Sequence, residues 1–77
     1  MLEAYVLIEV RMGFVNQAVR DLRQVAGVVS ATAVTGPFDV IARVAVGDVD
    51  ILGRLVQEGL QAAEGVTRTI TCPVLHL

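Results

Sequence analysis

Two apolar segments, Val28–Val34 and Val40–Val46, flank a short turn near the middle of the chain. The turn reads Thr35-Gly36-Pro37-Phe38-Asp39. Its glycine can adopt positive φ without steric cost, its proline fixes φ and lacks an N–H group, and its aspartate can accept a hydrogen bond from a neighbouring amide. The pattern predicts a long β-hairpin whose turn is rigid and rich in free backbone groups. Such a turn suits either a simple chain reversal or a binding loop.

The part of the chain before this hairpin has the pattern of a strand followed by a helix. Leu2–Val10 alternates between two faces, one of which is wholly apolar. From Phe14 to Ala26 the apolar residues recur with the period of an amphipathic helix. Gly27 follows as a residue suited to a left-handed helix end, and the next strand begins directly after it.

The part after the hairpin turn repeats this order. A strand comes first, and Asp48 then stands where it can cap a second helix. Gly65 ends this helix, and a last strand is expected over Val66–Val74. Gly53 and Gly59 lie inside the predicted helix, where each costs about 1 kcal/mol relative to alanine unless close packing requires it.

The repeated order predicts one domain over residues 1–77 with an α+β fold. Two right-handed strand-helix-strand units joined by the hairpin form a ferredoxin-like βαββαβ sandwich. Its sheet is four-stranded and antiparallel, and both helices cover the same face. The other face of the sheet is then left open.

The open face is predicted to be covered by a second copy of the chain. Hydrophobic residues make up 55% of the sequence and charged residues only 18%, which is more apolar material than a small monomer can bury. A face of mixed apolar, hydroxyl and charged side chains fits a subunit interface. The expected interface residues are Tyr5, Leu7, Thr32, Ile41 and Arg43.

The side-chain alternation of the last strand is in conflict with the presence of Arg68. Strict alternation directs Val66, Ile70 and Cys72 toward the helices, with Thr67, Thr69 and Thr71 on the open face. The same alternation buries Arg68, so we expect a bulge or an edge position to resolve this conflict. Cys72 is expected to be a small buried side chain without a disulfide partner or metal-ligand spacing.

Composition argues against several classes of function. With a net charge of −2 and six scattered basic residues, the sequence predicts no basic patch that could bind nucleic-acid phosphates. No apolar run approaches the length of a membrane span, and Glu3, Glu9 and Arg11 interrupt the segment where a signal peptide needs its apolar centre. We therefore expect a cytoplasmic protein that contacts neither membrane nor nucleic acid directly.

Two motifs resemble a known family. One is Val34-Thr35-Gly36-Pro37-Phe38-Asp39-Val40-Ile41-Ala42-Arg43-Val44, and the other is Gly65-Val66-Thr67-Arg68-Thr69-Ile70-Thr71. Together, and with the spacing of the helices, they resemble the effector-binding domain of the Lrp/AsnC family, also called the RAM domain. Members normally carry a helix-turn-helix domain before this one, and because Met1 stands almost directly before the first strand, the chain looks like a stand-alone form.

The resemblance implies a non-enzymatic module of transcriptional regulation of amino-acid metabolism, without a cofactor. It implies a homodimer whose sheets face each other as a dimeric α+β barrel, assembled further into a ring of dimers. It also implies an amino acid or similar zwitterion bound near the hairpin. The implied ligand residues are Gly36, Pro37, Phe38, Asp39, Val40, Thr69 and Thr71. Pro37 departs from a simple match because it has no amide to donate to a carboxylate.

Two other functions stay open at this point. One is a small dimeric α+β barrel enzyme of the cofactor-free monooxygenase or isomerase type, although the open face offers few acid-base groups and His76 has no catalytic partner nearby in the sequence. The other is an assembly partner of full-length Lrp/AsnC regulators that has no ligand of its own. The role of Asp39 distinguishes a ligand-binding module from an assembly partner without a ligand. In the first case Asp39 binds a ligand ammonium group, and in the second it only stabilises its own turn.

Overall fold

The computed structural model describes residues 1–77, and the elements follow the predicted order. The strands are β1 (Leu2–Val10), β2 (Val28–Ala33), β3 (Val40–Val46) and β4 (Val66–Pro73). The helices are α1 (Val15–Arg23) and α2 (Val49–Arg54), and α2 continues into a π-helical segment over Leu55–Leu60. The ferredoxin-like βαββαβ arrangement is therefore confirmed.

The sheet has the strand order β2-β3-β1-β4, with every neighbouring pair antiparallel. One face of β1 and β3 is fully apolar and packs against both helices in a core of 15 buried residues. The strand residues of this core include Val6, Ile8, Val40 and Val44. No helix covers the other face, as predicted.

The ends of the helices follow local rules. The Asp48 side chain accepts a hydrogen bond from the Ile51 N–H at 2.9 Å, which confirms it as the cap of α2. Gly27 and Gly65 have the left-handed φ of 97° and 89°. The helical segments end earlier, at Arg23 and Leu60, so these glycines lie in the turns that lead into β2 and β4 and not at the helix ends predicted for them.

The two helical glycines differ in their surroundings. A Cβ atom on Gly59 would lie 2.7 Å from Val25 Cγ1, whereas nothing lies within 4 Å of one on Gly53. Close packing of Val25, which follows α1, against the π-helical segment therefore requires a glycine at position 59 and not at position 53.

The alternation predicted for β4 is wrong from Arg68 onward. Val66 is the pairing partner of Val10, but Arg68 is the partner of Glu9, so Thr67 is an extra residue in a β-bulge. The bulge inverts the phase of the rest of the strand. Three residues move to the open face, namely Arg68, Ile70 and Cys72, which are paired with Glu9, Leu7 and Tyr5.

The same inversion moves Thr69 and Thr71 to the helix-side face, because their partners Ile8 and Val6 are core residues. Cys72 is exposed, contrary to the expectation that it is buried. The predicted conflict at Arg68 is resolved by the bulge, since the guanidinium group is not buried. Burial without a partner would cost several kcal/mol.

Candidate ligand-binding site

The hairpin loop is fastened to strand β1 by Asp39. Its N–H donates to the Ile8 carbonyl at 2.9 Å, and its Oδ2 accepts from the Val10 N–H at 2.8 Å. Its own carbonyl accepts from the Val34 N–H at 2.9 Å, which closes the loop. Asp39 therefore stabilises a contact across the sheet as well as its own turn, and Oδ1 has no hydrogen-bond partner within the chain.

The amides of the loop are divided between bonded and free groups. The Asp39 N–H is already paired with the Ile8 carbonyl, so it is not available to a ligand carboxylate. The N–H groups of Thr35, Gly36 and Phe38 donate to no other atom of the chain. Gly36 has φ of 139°, a conformation that an L side chain rarely adopts. The loop thus presents three unpaired donors from a constrained backbone.

A hollow of about 360 Å³ lies where this loop meets the open face of the sheet. Its lining is mostly apolar and consists of Leu7, Val34, Thr35, Pro37, Phe38 and Ile41. Two of the loop residues expected at a ligand site, Pro37 and Phe38, form its wall. Such a volume and lining suit a small apolar group held beside a few polar atoms.

The predicted interface residues share the open face. Leu7 is paired with Ile41, and Ile41 with Thr32, so these side chains form a row across three strands. Tyr5 and Arg43 form the next row, and Tyr5 remains 46% exposed in the single chain. Because Ile70 extends the first row across β4, this face is more apolar than the sequence had indicated.

Charges on the open face are only partly paired. Arg43 Nη2 lies 3.1 Å from Glu3 Oε1, and this is the only salt bridge in the chain. The Thr67 hydroxyl donates to Glu9 Oε1 at 2.9 Å, while the neighbouring Arg68 pairs with no carboxylate. The guanidinium carbon of Arg68 lies 6.0 Å from the centroid of the Phe38 ring, which walls the hollow.

The two threonines assigned to the ligand site are not brought to the hollow. The Thr69 hydroxyl accepts a hydrogen bond from Gln61 Nε2 at 2.9 Å, beside the end of the second helix. Thr71 lies opposite Val6 on the helix-side face. We therefore correct their predicted position, because the bulge at Thr67 separates them from the open face.

Sequence reasoning assigned Leu7 and Ile41 to the interface alone and passed over Val34, Thr35 and Arg68 as site residues. The conflict in the phase of Arg68 was the available signal, since an arginine that alternation would bury must be placed elsewhere by a bulge. The hollow itself had no such signal, because its lining comes from β1, β3 and the loop together.

The hairpin loop is thus tied to the first strand and lies beside a hollow on the uncovered face of a βαββαβ sheet. The model of the Lrp/AsnC ligand binding domain matches residues 3–76. This chain belongs to that family.

Several solved structures have the same fold as this chain. TTHA0845 from Thermus thermophilus is 34% identical, with a TM-score of 0.94 over 100% of this chain and 96% of that one. AsnC from E. coli is 19% identical, with a TM-score of 0.91 over 99% of this chain but 52% of that one.

A third similar structure is that of the transcriptional regulator NMB0573 from Neisseria meningitidis in complex with L-methionine. It is 22% identical, with a TM-score of 0.86 over 97% of this chain and 50% of that one. This chain thus corresponds to nearly all of TTHA0845 and to about half of either larger regulator. No protein with a curated description matches the sequence.

Membership of the family supports a regulatory role in small-molecule binding. None of the helices is long and apolar enough to cross a membrane. No three His, Cys, Asp or Glu side chains are grouped as metal ligands would be.

Proposed function

We propose that this Lrp/AsnC domain is a non-enzymatic regulatory module that binds an amino acid with an apolar side chain in the hollow at the hairpin. The observation that supports the proposal most directly is the hollow, whose apolar wall includes Phe38 and which lies beside unpaired loop amides. In this arrangement the apolar side chain of the ligand fills the hollow, and its ionic groups remain at the polar rim. Burial of such a side chain is worth roughly 1.5–3 kcal/mol.

The ammonium group of the ligand binds to Asp39. One oxygen of that carboxylate is occupied by the Val10 N–H, and the other is free to accept. A charge-assisted bond is about twice as strong as a neutral one, and it strengthens further where water is excluded. L-Methionine bound to the related regulator NMB0573 has an apolar side chain of the kind that this hollow fits.

A second copy of the chain covers the open face in this proposal. Leu7, Ile41 and Ile70 form a continuous apolar row there, flanked by Tyr5. An uncovered row of this kind is unusual on a soluble monomer. Because Leu7 and Ile41 also line the hollow, the partner closes the site from above, and ligand binding and assembly are coupled. Further assembly into rings, or with full-length Lrp/AsnC regulators, links the module to transcription.

Thermal unfolding in the presence of each standard amino acid tests this function. A ligand at about 100 times its Kd stabilises the folded state by about 2.7 kcal/mol. For a domain of this size, that corresponds to a rise in Tm of roughly 10–20 °C. Leucine, methionine or another apolar amino acid is expected to give the largest rise. If no amino acid at millimolar concentration changes Tm or releases heat, the chain is an assembly partner without its own ligand.

A further inference from the structure

Arg68 is exposed on the open face because of a specific irregularity of the backbone. Val66 is paired with Val10 and Arg68 with Glu9, so the bulge at Thr67 takes up one residue. Without the bulge, the residue opposite Ile8 would be Arg68, and its side chain would be directed toward the core. The fold thus places a guanidinium group on the face that carries the hollow.

This guanidinium group has no anionic partner in the chain. The carboxylate opposite it, Glu9, accepts a hydrogen bond from Thr67, and the only salt bridge joins Arg43 to Glu3. Two other arginines are occupied by local contacts, since Arg11 stacks on Phe14 and Arg23 donates to the Ala31 carbonyl. Of the two arginines on the open face, only Arg68 is left without a carboxylate.

The position of Arg68 relative to the hollow suits recognition of an anion. Its guanidinium carbon is 6.0 Å from the centre of the Phe38 ring, about the outer limit of a cation–π interaction. That contact orients the side chain without using its N–H groups. Arg68 also borders a second, polar hollow of about 280 Å³ with Thr67, Thr69 and Gln61, so polar groups surround it on the other side.

We infer that Arg68 binds the carboxylate of the ligand and so determines specificity for amino acids over amines. The inference rests on the proposed function and deepens it. A guanidinium group offers two parallel N–H donors that match both oxygens of a carboxylate. It replaces the donors that Thr69 and Thr71 cannot supply from the helix-side face. The ligand is then held by three features, namely the apolar hollow, the free oxygen of Asp39 and the fork of Arg68.

A cycle between protein variants and ligand analogues tests this inference by calorimetry. The probes are L-leucine and 3-methylbutylamine, which is leucine without its carboxylate. If another apolar amino acid gives the largest thermal shift, the probes are that amino acid and the corresponding amine without the carboxylate. Arg68→Gln is expected to weaken L-leucine binding by about 10- to 100-fold and to leave amine binding unchanged. Arg68→Lys keeps the positive charge but not the two parallel N–H donors, so it should bind L-leucine more tightly than Arg68→Gln but more weakly than the unmodified protein.

The control is Arg20→Gln, which removes the same charge from the exposed face of α1. It should bind L-leucine as the unmodified protein does. Sedimentation of Arg68→Gln, expected to match the unmodified protein, checks whether Arg68 instead pairs with a carboxylate of a second subunit.

The outcomes distinguish this inference from the proposed function. If the unmodified protein binds an amino acid and Arg68→Gln binds it equally well, the role of Arg68 is refuted and the ligand site stands. Equal weakening of amino acid and amine, or dissociation of Arg68→Gln into monomers, also refutes the role. If the unmodified protein binds no amino acid at all, both proposals are overturned.

Discussion

Asp39 combines a structural bond with a proposed ligand contact, and two substitutions separate the roles. Asp39→Ala removes the acceptor of the Val10 N–H, which lies 2.8 Å from Oδ2 in a partly buried position. An unsatisfied donor of this kind costs about 1–2 kcal/mol. For a domain of this size, each kcal/mol lowers Tm by about 4–8 °C, so Asp39→Ala should melt roughly 4–16 °C below the unmodified protein.

Asp39→Asn is the matched variant, because its amide oxygen can still accept from Val10 while the charge is lost. Its unfolding free energy should fall by less than about 1 kcal/mol, since only the charge-assisted part of the bond is removed. Both variants lose the partner of the ligand ammonium group. An amino acid that binds the unmodified protein should bind either variant roughly 10- to 100-fold more weakly.

The measurements are thermal unfolding of the unliganded variants by circular dichroism and calorimetric titration with the best amino acid. Unchanged ligand affinity in Asp39→Asn would show that the carboxylate only stabilises the hairpin. If Asp39→Ala melts together with Asp39→Asn, the bond to Val10 makes no net contribution, and the argument from its geometry is refuted.

Two further predictions concern packing and assembly. Gly53→Ala should raise the unfolding free energy by about 0.5–1 kcal/mol because the space around its Cβ is open. Gly59→Ala should lower the unfolding free energy by about 1 kcal/mol because its Cβ meets Val25. A similar rise in Tm for both variants would contradict the packing argument. Ile41→Lys places a charge within the apolar row of the open face and should give a folded monomer by sedimentation, since Ile41 is only half-buried in the single chain. A stable monomer of the unmodified protein would refute the proposed interface.

Short-range patterns in the sequence were sufficient for the fold. Alternation in Leu2–Val10 and Val40–Val46 identified the central strands, and the helical period identified both helices. Asp48 acted as predicted because a helix cap depends on groups within a few residues, whereas Gly65 has a left-handed conformation but lies beyond the end of the helical segment at Leu60. The hairpin loop and Phe38 were assigned to the candidate site on other grounds, namely the resemblance of the two motifs to the Lrp/AsnC family.

Longer-range features were decided only by the tertiary structure. The bulge at Thr67 depends on how β4 aligns with β1, and a one-residue shift there exchanged the faces of Arg68 and Thr69. Asp39 bonds to Val10, 29 residues away along the chain. The need for Gly59 comes from Val25, which follows the helix of the other half. Residue periodicity fixes which face a strand buries only while its register is unbroken, and the register is a property of two strands together.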